Sequence, residues 1–391
     1  MSGTAPRSAI EPPEPIEPYI AMSLALSSAN STFMHDALAQ ARLAIGLSDP
    51  NPRVGCVITT TDGRVIGRGH TQQAGGAHAE VMALRDVQAS GADARGATAY
   101  VTLEPCNHHG RTPPCSNALV HAGLGRVVAA LEDPNPLVAG QGLATLAAAG
   151  IDVACGVMAD AAHEMNIGFF SRMRRGLPWV RLKSAASLDG MTALANGQSQ
   201  WITGPEARAD GHAWRARACV ILTGIGTVKA DDPQLTVRAV ETGRQPRRVI
   251  VDSNLDIDLD AKVLAGPPSW IVCASANPRK AAALQAAGHD VIMLPNAAGK
   301  VDLAALMREL GRREINEVHV EAGSKLNGSL IRAGCVDELL VYLAPSLIGE
   351  AQGMFALGPL SSLEQRQRLT FHAVKQVGAD LRILARFTHP S

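Results

Sequence analysis

Apolar residues recur at helical spacing from Phe33 to Ala44, a pattern that predicts a first helix. Asn51-Pro52-Arg53 then reads as a turn into an apolar strand, Val54 to Thr60. Thr61-Asp62-Gly63 reads as a hairpin tip and Arg64 to Gly67 as the returning strand. After a glycine-rich loop comes a helical stretch, Glu80 to Arg85. A strand is predicted over Thr98 to Leu103, a helix over Ser116 to Ala122 and a strand over Arg126 to Leu131. A helix–strand pair within Gly140 to Ala154 completes a compact layered α/β domain.

The pattern then continues into a second unit. A linker helix, Ala159 to Arg174, reaches Gly176-Leu177-Pro178, where the boundary is expected. In the strand Trp179 to Ala185, Arg181, Lys183 and Ser184 interleave with apolar residues. A helix from Pro205 to Ala218 precedes the strand Cys219 to Gly224. Further strands are predicted over Arg248 to Asp252, Trp270 to Ala274, Asp290 to Leu294, Glu317 to Glu321 and Glu338 to Leu343, with two more toward the C-terminus. Helices fall between several of them, and there is no internal repeat. The expected division is therefore an extension over 1–30, a first domain over 31–175 and a second over 176–391. Glu11 to Pro18 is acidic and proline-rich, so the extension reads as disordered or extended rather than as a signal peptide. The apolar run Ile20 to Leu26 that follows receives no function.

Composition narrows the function classes. The 391 residues carry 36 basic and 36 acidic side chains, so the formal net charge is zero. That argues against a nucleic-acid binder working through a basic surface, and aromatics at 3% leave few platforms for base stacking. No apolar run approaches a membrane-spanning length, so no membrane partner is expected. Of seven cysteines, Cys56, Cys155, Cys219, Cys273 and Cys335 sit beside apolar residues and read as reduced core thiols, as suits the cytoplasm.

The other two cysteines carry the chemistry. His78-Ala79-Glu80 is followed by Pro105-Cys106 and then Cys115. An imidazole and two thiolates are zinc ligands, and three protein ligands leave the fourth position open, as in catalytic zinc sites. A histidine, a glutamate two residues on and a Pro-Cys…Cys pair form the signature of zinc deaminases. In this pattern His78, Cys106 and Cys115 hold the metal. Glu80 is the proton shuttle, taking the proton of a zinc-activated water and passing it to the leaving ammonia. Both metal-bearing segments are expected at helix starts, where the positive helix end favours thiolate over thiol.

Zinc deaminases usually place two residues between the cysteines; here eight intervene, Asn107 to Pro114. With that insert, Pro-Cys-Asn-His-His-Gly-Arg-Thr-Pro-Pro-Cys resembles the bifunctional riboflavin-biosynthesis deaminase/reductase family. His108 and His109 are alternative ligands by type, but adjacent loop histidines fit contacts to substrate or backbone better. In the second half, Leu182 to Gly190, the segment Ser199 to Arg208, Gly226-Thr227-Val228 with Ala230 to Pro233, and Val320 to Gly323 resemble the reductase part of that family. The resemblance runs from about Thr32 to Phe387 and omits only the N-terminal extension.

From the residues alone, the second half lacks a G-x-G-x-x-G fingerprint. It offers another phosphate cradle, where the strand ending at Glu321 runs through Ala322-Gly323 into a helix whose first N–H groups are free. The rest comes from the resemblance. It implies an α/β protein with a cytidine-deaminase-like three-layer α/β/α domain followed by a dihydrofolate-reductase-like domain. It implies a homodimer through the reductase half, one zinc ion and NADPH as cofactors, and a phosphoribosylated pyrimidine as substrate. It assigns the cofactor to Ala185, Trp201, Thr227, Asp231, Ser253, Gly323, Ser324, Lys325, Leu326, Asn327, Gly328 and Ser329. It assigns the substrate to Ser199, Arg215, Leu235, Arg238 and Glu321. The two arginines suit a phosphate because a guanidinium fork grips it bidentately. Lys183 would give a proton or orient the ribose, and Arg247 and Arg248 are candidate cations near Ser253 for a 2′-phosphate. The enzymatic alternative is a tRNA or nucleoside deaminase fused to an unrelated or inactive domain.

Overall fold

The computed structural model describes residues 28–107, 113–135, 139–275 and 277–388. His108 to Thr112 of the cysteine insert and the run Ile20 to Leu26 lie outside the described residues.

The first sheet is built from β1 (Gly55–Thr59), β2 (Val65–His70), β3 (Thr98–Val101), β4 (Arg126–Ala129) and β5 (Asp152–Cys155), in the order β2-β1-β3-β4-β5. β1 runs antiparallel to β2 and β3, while β3, β4 and β5 are parallel. Strand alternation splits its side chains between two cores. Cys56, Ile58, Ala99, Val101, Val127 and Ala129 face α2 (Ala79–Ala89), α3 (Cys115–His121), α4 (Gln141–Ala148) and α6 (Ile167–Arg175). Val57, Tyr100 and Val128 face α1 (Ser28–Arg42) and α5 (Ala159–Met165). The three layers expected of this half are therefore present.

The linker helix departs from expectation. It is two helices, α5 and α6, broken at Asn166. The Asn166 amide accepts from the Arg53 N–H at 2.7 Å and donates to the Arg53 carbonyl at 2.9 Å. Pairing with a backbone 113 residues away outweighs continuation of the helix, and periodicity carries no trace of such a partner. Gly176 ends α6 in the left-handed region at φ 69°.

The second sheet has nine strands: β6 (Trp179–Ser187), β8 (Val220–Gly224), β9 (Arg247–Val251), β10 (Trp270–Cys273), β11 (Asp290–Met293), β12 (Glu317–Val320), β13 (Glu338–Ala344), β15 (Leu369–Val377) and β16 (Asp380–Phe387). Its order is β11-β10-β9-β8-β12-β6-β13-β16-β15; all pairings from β11 to β13 are parallel and the last two antiparallel. α7 (Pro205–Arg217), α8 (Ile225–Asp231), α9 (Pro278–Ala286), α10 (Leu303–Arg312) and α11 (Ser324–Arg332) supply the helices. α8 and a small ladder, β7 (Met191–Ala193) with β14 (Gln352–Gly353), are elements the sequence pattern did not predict; they are short, at seven, three and two residues.

Of the expected core thiols, Cys56, Cys219, Cys273 and Cys335 are buried. Cys155 is exposed, at the end of the edge strand β5.

Candidate active sites

The first site assembles at two helix starts. His78 precedes α2 with an extended backbone, and Cys115 is the first residue of α3. Cys106 follows β3 on a short loop. His78 Nδ1 lies 3.4 Å from Cys106 Sγ and 3.3 Å from Cys115 Sγ, and the three ligand atoms all fall within 4.8 Å of one another. Zn–S of about 2.3 Å and Zn–N of about 2.0–2.1 Å in a tetrahedron require N···S separations of ~3.6 Å. The donor set therefore fits a zinc ion with slight expansion. Hydrogen bonds from Cys115 and His78 lower the Cys106 thiol to about 4, despite burial that opposes it. The Cys115 N–H also lies 3.5 Å from Cys106 Sγ. The bond to Cys106 and burial push Cys115 up in turn, and the bond from Cys106 raises His78.

Glu80 is 3% exposed on the first turn of α2. Burial and the nearby Cys106 hold its carboxyl up at about 7, where a carboxyl both gives and takes protons near neutral pH. His78, Glu80 and Cys106 line a cavity of about 510 Å³, a size that suits a small organic substrate.

Residues beyond the signature complete this site. Glu104, two residues before Cys106, accepts hydrogen bonds from the N–H groups of Asp133 (3.0 Å), Gly140 (2.9 Å), Gly142 (2.8 Å) and Leu143 (3.2 Å). It ties the cysteine loop to the N-terminus of α4. The only signal in the sequence was its place before Pro105-Cys106. Asn51, Phe169 and Arg172 also line the cavity, and so does Glu314 of the second half; no motif marks any of them.

The second group of residues gathers at the carboxyl end of the parallel strands, where open α/β sheets bind ligands. The Thr227 hydroxyl accepts from the Gly323 N–H at 3.1 Å, which joins the start of α8 to the glycine turn before α11. Ser253 follows β9, its hydroxyl accepting from the Val301 N–H at 3.2 Å. Ala185 lies on β6 opposite Tyr342, and Asp231 is the exposed last residue of α8. Ser324, Lys325 and Leu326 form the first turn of α11. Asn327 and Gly328 are buried toward the 354–356 segment, so they turn away from that cradle. The Ser329 hydroxyl donates to the Lys325 carbonyl at 2.9 Å, one turn further on.

Glu321 sits between Lys183, at 3.9 Å, and Arg215, whose Nε and Nη2 both bond its carboxylate. The remaining bond of Arg215 goes to the Thr236 carbonyl at 3.0 Å. The bidentate grip expected of Arg215 on a phosphate is thus already spent on a carboxylate. Arg238 is exposed, and its Nη1 meets only Gln234 and Thr236. Leu235 is 4% exposed in the core cluster with Ile221 and Val228, so a substrate contact there falls to its backbone. Ser199 and Trp201 lie on the loop before α7. Trp201 is 70% exposed, with the Arg208 guanidinium 4.5 Å from its ring. Arg247 and Arg248 stand at the amino end of β9, away from Ser253. Arg248 is buried against the Ala265 and Pro267 carbonyls, and Arg247 donates to the Pro268 carbonyl, so neither serves a phosphate at Ser253.

Comparison with known proteins decides what the two sites belong to. The family model for the RibD C-terminal domain matches residues 178–383, and that for the cytidine and deoxycytidylate deaminase zinc-binding region matches residues 27–131. The riboflavin biosynthesis protein RibD of Escherichia coli is 45% identical over 363 residues, covering 89% of this chain and 97% of that protein. This chain belongs to the RibD family. RibD of Haemophilus influenzae is 44% identical over 374 residues, covering 92% and 98%. The solved structure of Acinetobacter baumannii RibD matches at 40% identity with a TM-score of 0.83, covering 92% and 99%. A Thermotoga maritima structure, described as a diaminohydroxyphosphoribosylaminopyrimidine deaminase/5-amino-6-(5-phosphoribosylamino)uracil reductase, matches at 31% identity and a TM-score of 0.83, covering 92% and 99%. The RibD order, deaminase region then reductase domain, is the order of the two sites described above.

Proposed function

We propose that this chain catalyses two successive reactions of riboflavin biosynthesis. The first is zinc-dependent hydrolytic deamination of 2,5-diamino-6-ribosylamino-4(3H)-pyrimidinone 5′-phosphate. The second is NADPH-dependent reduction of the ribosyl group of 5-amino-6-(5-phosphoribosylamino)uracil to ribityl. The observation that carries the reading is the His78–Cys106–Cys115 triad beside buried Glu80 in one cavity, within a chain that also holds the RibD reductase domain.

In the first reaction His78, Cys106 and Cys115 hold the metal. A zinc ion held there would lower the pKa of a bound water toward neutrality. Glu80 takes a proton from that water on its carboxylate and gives it to the departing amine nitrogen. Glu104 keeps Cys106 in place. In the second reaction NADPH would supply the hydride that reduces C1′ of the open imine form of the sugar. The Thr227–Gly323 bond and the free N–H groups of Ser324, Lys325 and Leu326 favour the cofactor phosphates at the start of α11. Lys183, beside Glu321, gives a proton to the imine nitrogen or orients the ribose. Arg238 is the better-placed cation for the substrate phosphate, with Arg215 fixing Glu321.

Three further assignments go with this reading. The chain pairs as a homodimer through the reductase half, where the edge strand β15 leaves Phe371 71% and Val374 56% exposed. It works in the cytoplasm and takes no nucleic-acid partner. No described helix is long and apolar enough to cross a membrane.

Metal removal tests the first site. After chelation, ammonia release is expected to fall at least 100-fold and to return with zinc, while NADPH oxidation on supplied deaminated intermediate is unchanged. Ammonia release that persists in metal-free protein contradicts the reading.

A further inference from the structure

Arg172 is the only lysine or arginine lining the deaminase cavity among the described residues. Its hydrogen bonds go to neutral acceptors, Nε to the Asn316 side-chain oxygen at 2.7 Å and Nη2 to the Pro50 carbonyl at 3.1 Å. No carboxylate among the described residues comes within 4.0 Å of it, whereas neighbouring Arg53, Arg175, Arg217 and Arg244 each have one. Glu314 lines the same cavity but stands beyond that distance. A partly buried guanidinium whose Nη1 has no partner among the described residues, and which Glu314 and Asp49 reach only through space and not by an ion pair, favours an anion. The substrate of the proposed deamination carries one, a phosphate joined through ribose to the ring that must reach Glu80.

Asn316 belongs to the reductase half, at the start of β12. Its amide oxygen holds Arg172, and its nitrogen bonds the Pro50 carbonyl at 2.9 Å, on the loop that forms the cavity wall. We propose that Arg172 binds the 5′-phosphate of the deaminase substrate, and that Asn316 of the other half positions it. This rests on the deaminase reading above. It also gives the fusion of the two halves a purpose, since the reductase half finishes the deaminase's substrate site.

The test compares ammonia release by the full chain from the phosphorylated substrate and from its dephosphorylated riboside. Wild type prefers the phosphorylated form. Arg172→Met lowers kcat/KM for that form by about 10- to 100-fold, mostly through KM, and leaves the riboside unchanged. Arg172→Lys recovers part of the preference, and Asn316→Ala loses part of it. NADPH oxidation on the deaminated intermediate and zinc content stay at wild-type levels, which separates lost recognition from lost folding. Should Arg172→Met fail to fold, Arg172→Lys and Asn316→Ala carry the test, and an undiminished preference in both overturns the proposal. Equal losses on both substrates, an unchanged preference in Arg172→Met, or no preference in wild type also overturn it. No ammonia from either substrate with wild type would instead sink the deaminase reading.

Discussion

Four backbone N–H groups converge on the Glu104 carboxylate. A carboxylate so placed at a helix N-terminus holds both its own strand end and the helix, and here the strand end leads straight to Cys106. Replacing it by alanine strands four donors and frees the cysteine loop. Glu104→Ala is expected to weaken zinc binding about 10- to 100-fold, as loss of a group supporting a metal ligand does, while NADPH oxidation is spared. Chelator competition measures it, and unchanged zinc affinity would refute the role. The candidate metal cluster of His78, Cys106 and Cys115, with Glu80 beside it, was legible in the sequence because the spacing is local and the residue types are chemically restrictive. Glu104 was visible as a residue but its task was not, since its partners lie 29 to 39 positions away. The same holds for Arg172, which α6 brings to the cavity by packing on the first sheet, and for Glu314, which reaches it only through the packing of the two halves.

At the scale of elements, α2 can carry His78 and Glu80 into position only because it presses directly on β2. A Cβ on Gly69 would stand 2.3 Å from the Ala79 carbonyl oxygen and 2.4 Å from the Ala83 nitrogen. No side chain fits there unless the helix moves. Gly69→Ala is expected to cost about 1–3 kcal/mol and to displace the first turn of α2. A shift of about 1 Å at a catalytic group costs on the order of 100-fold in rate, so ammonia release falls by that amount while NADPH oxidation holds. Equal activity in both channels would show that α2 has room the structure denies it. The strands and most helices were legible because alternation and helical spacing are written within each segment. The break at Asn166 was not, because what ends the helix is a pair of bonds to Arg53.

Across the whole molecule, Glu317 joins the halves. Its carboxylate meets Arg53 of the first half at 2.6 Å, Arg217 at 2.8 Å and Arg181 at 3.0 Å, all buried or nearly so. Burial alone would raise its pKa, but the charges of Arg217, Arg53 and Arg181 outweigh it and hold the carboxyl well below its usual 4.5. A carboxyl lowered in the folded state adds stability that is complete above its unfolded value and lost as pH falls through the folded one. Wild type should therefore lose stability on acidification below about pH 4.5, and Glu317→Gln should lose less there. At neutral pH that variant leaves three guanidiniums without their shared carboxylate and should be about 3–5 kcal/mol less stable. Urea midpoints across pH check both, and an unchanged acid limb would remove Glu317 from the account. The two-domain order was readable from the sequence, but this junction was not, because periodicity says nothing about which buried charges meet.

The most direct test of the central claim follows ammonia and NADPH together in wild type and in Glu80→Gln. With the diaminopyrimidinone phosphate, wild type should release one ammonia and oxidise one NADPH per substrate. Glu80→Gln should bind zinc and do neither on that substrate, with ammonia release falling about 10²- to 10⁴-fold, yet oxidise NADPH at the wild-type rate on supplied deaminated intermediate. Ammonia release undiminished in Glu80→Gln, or no NADPH oxidation by wild type on that intermediate, would contradict the account.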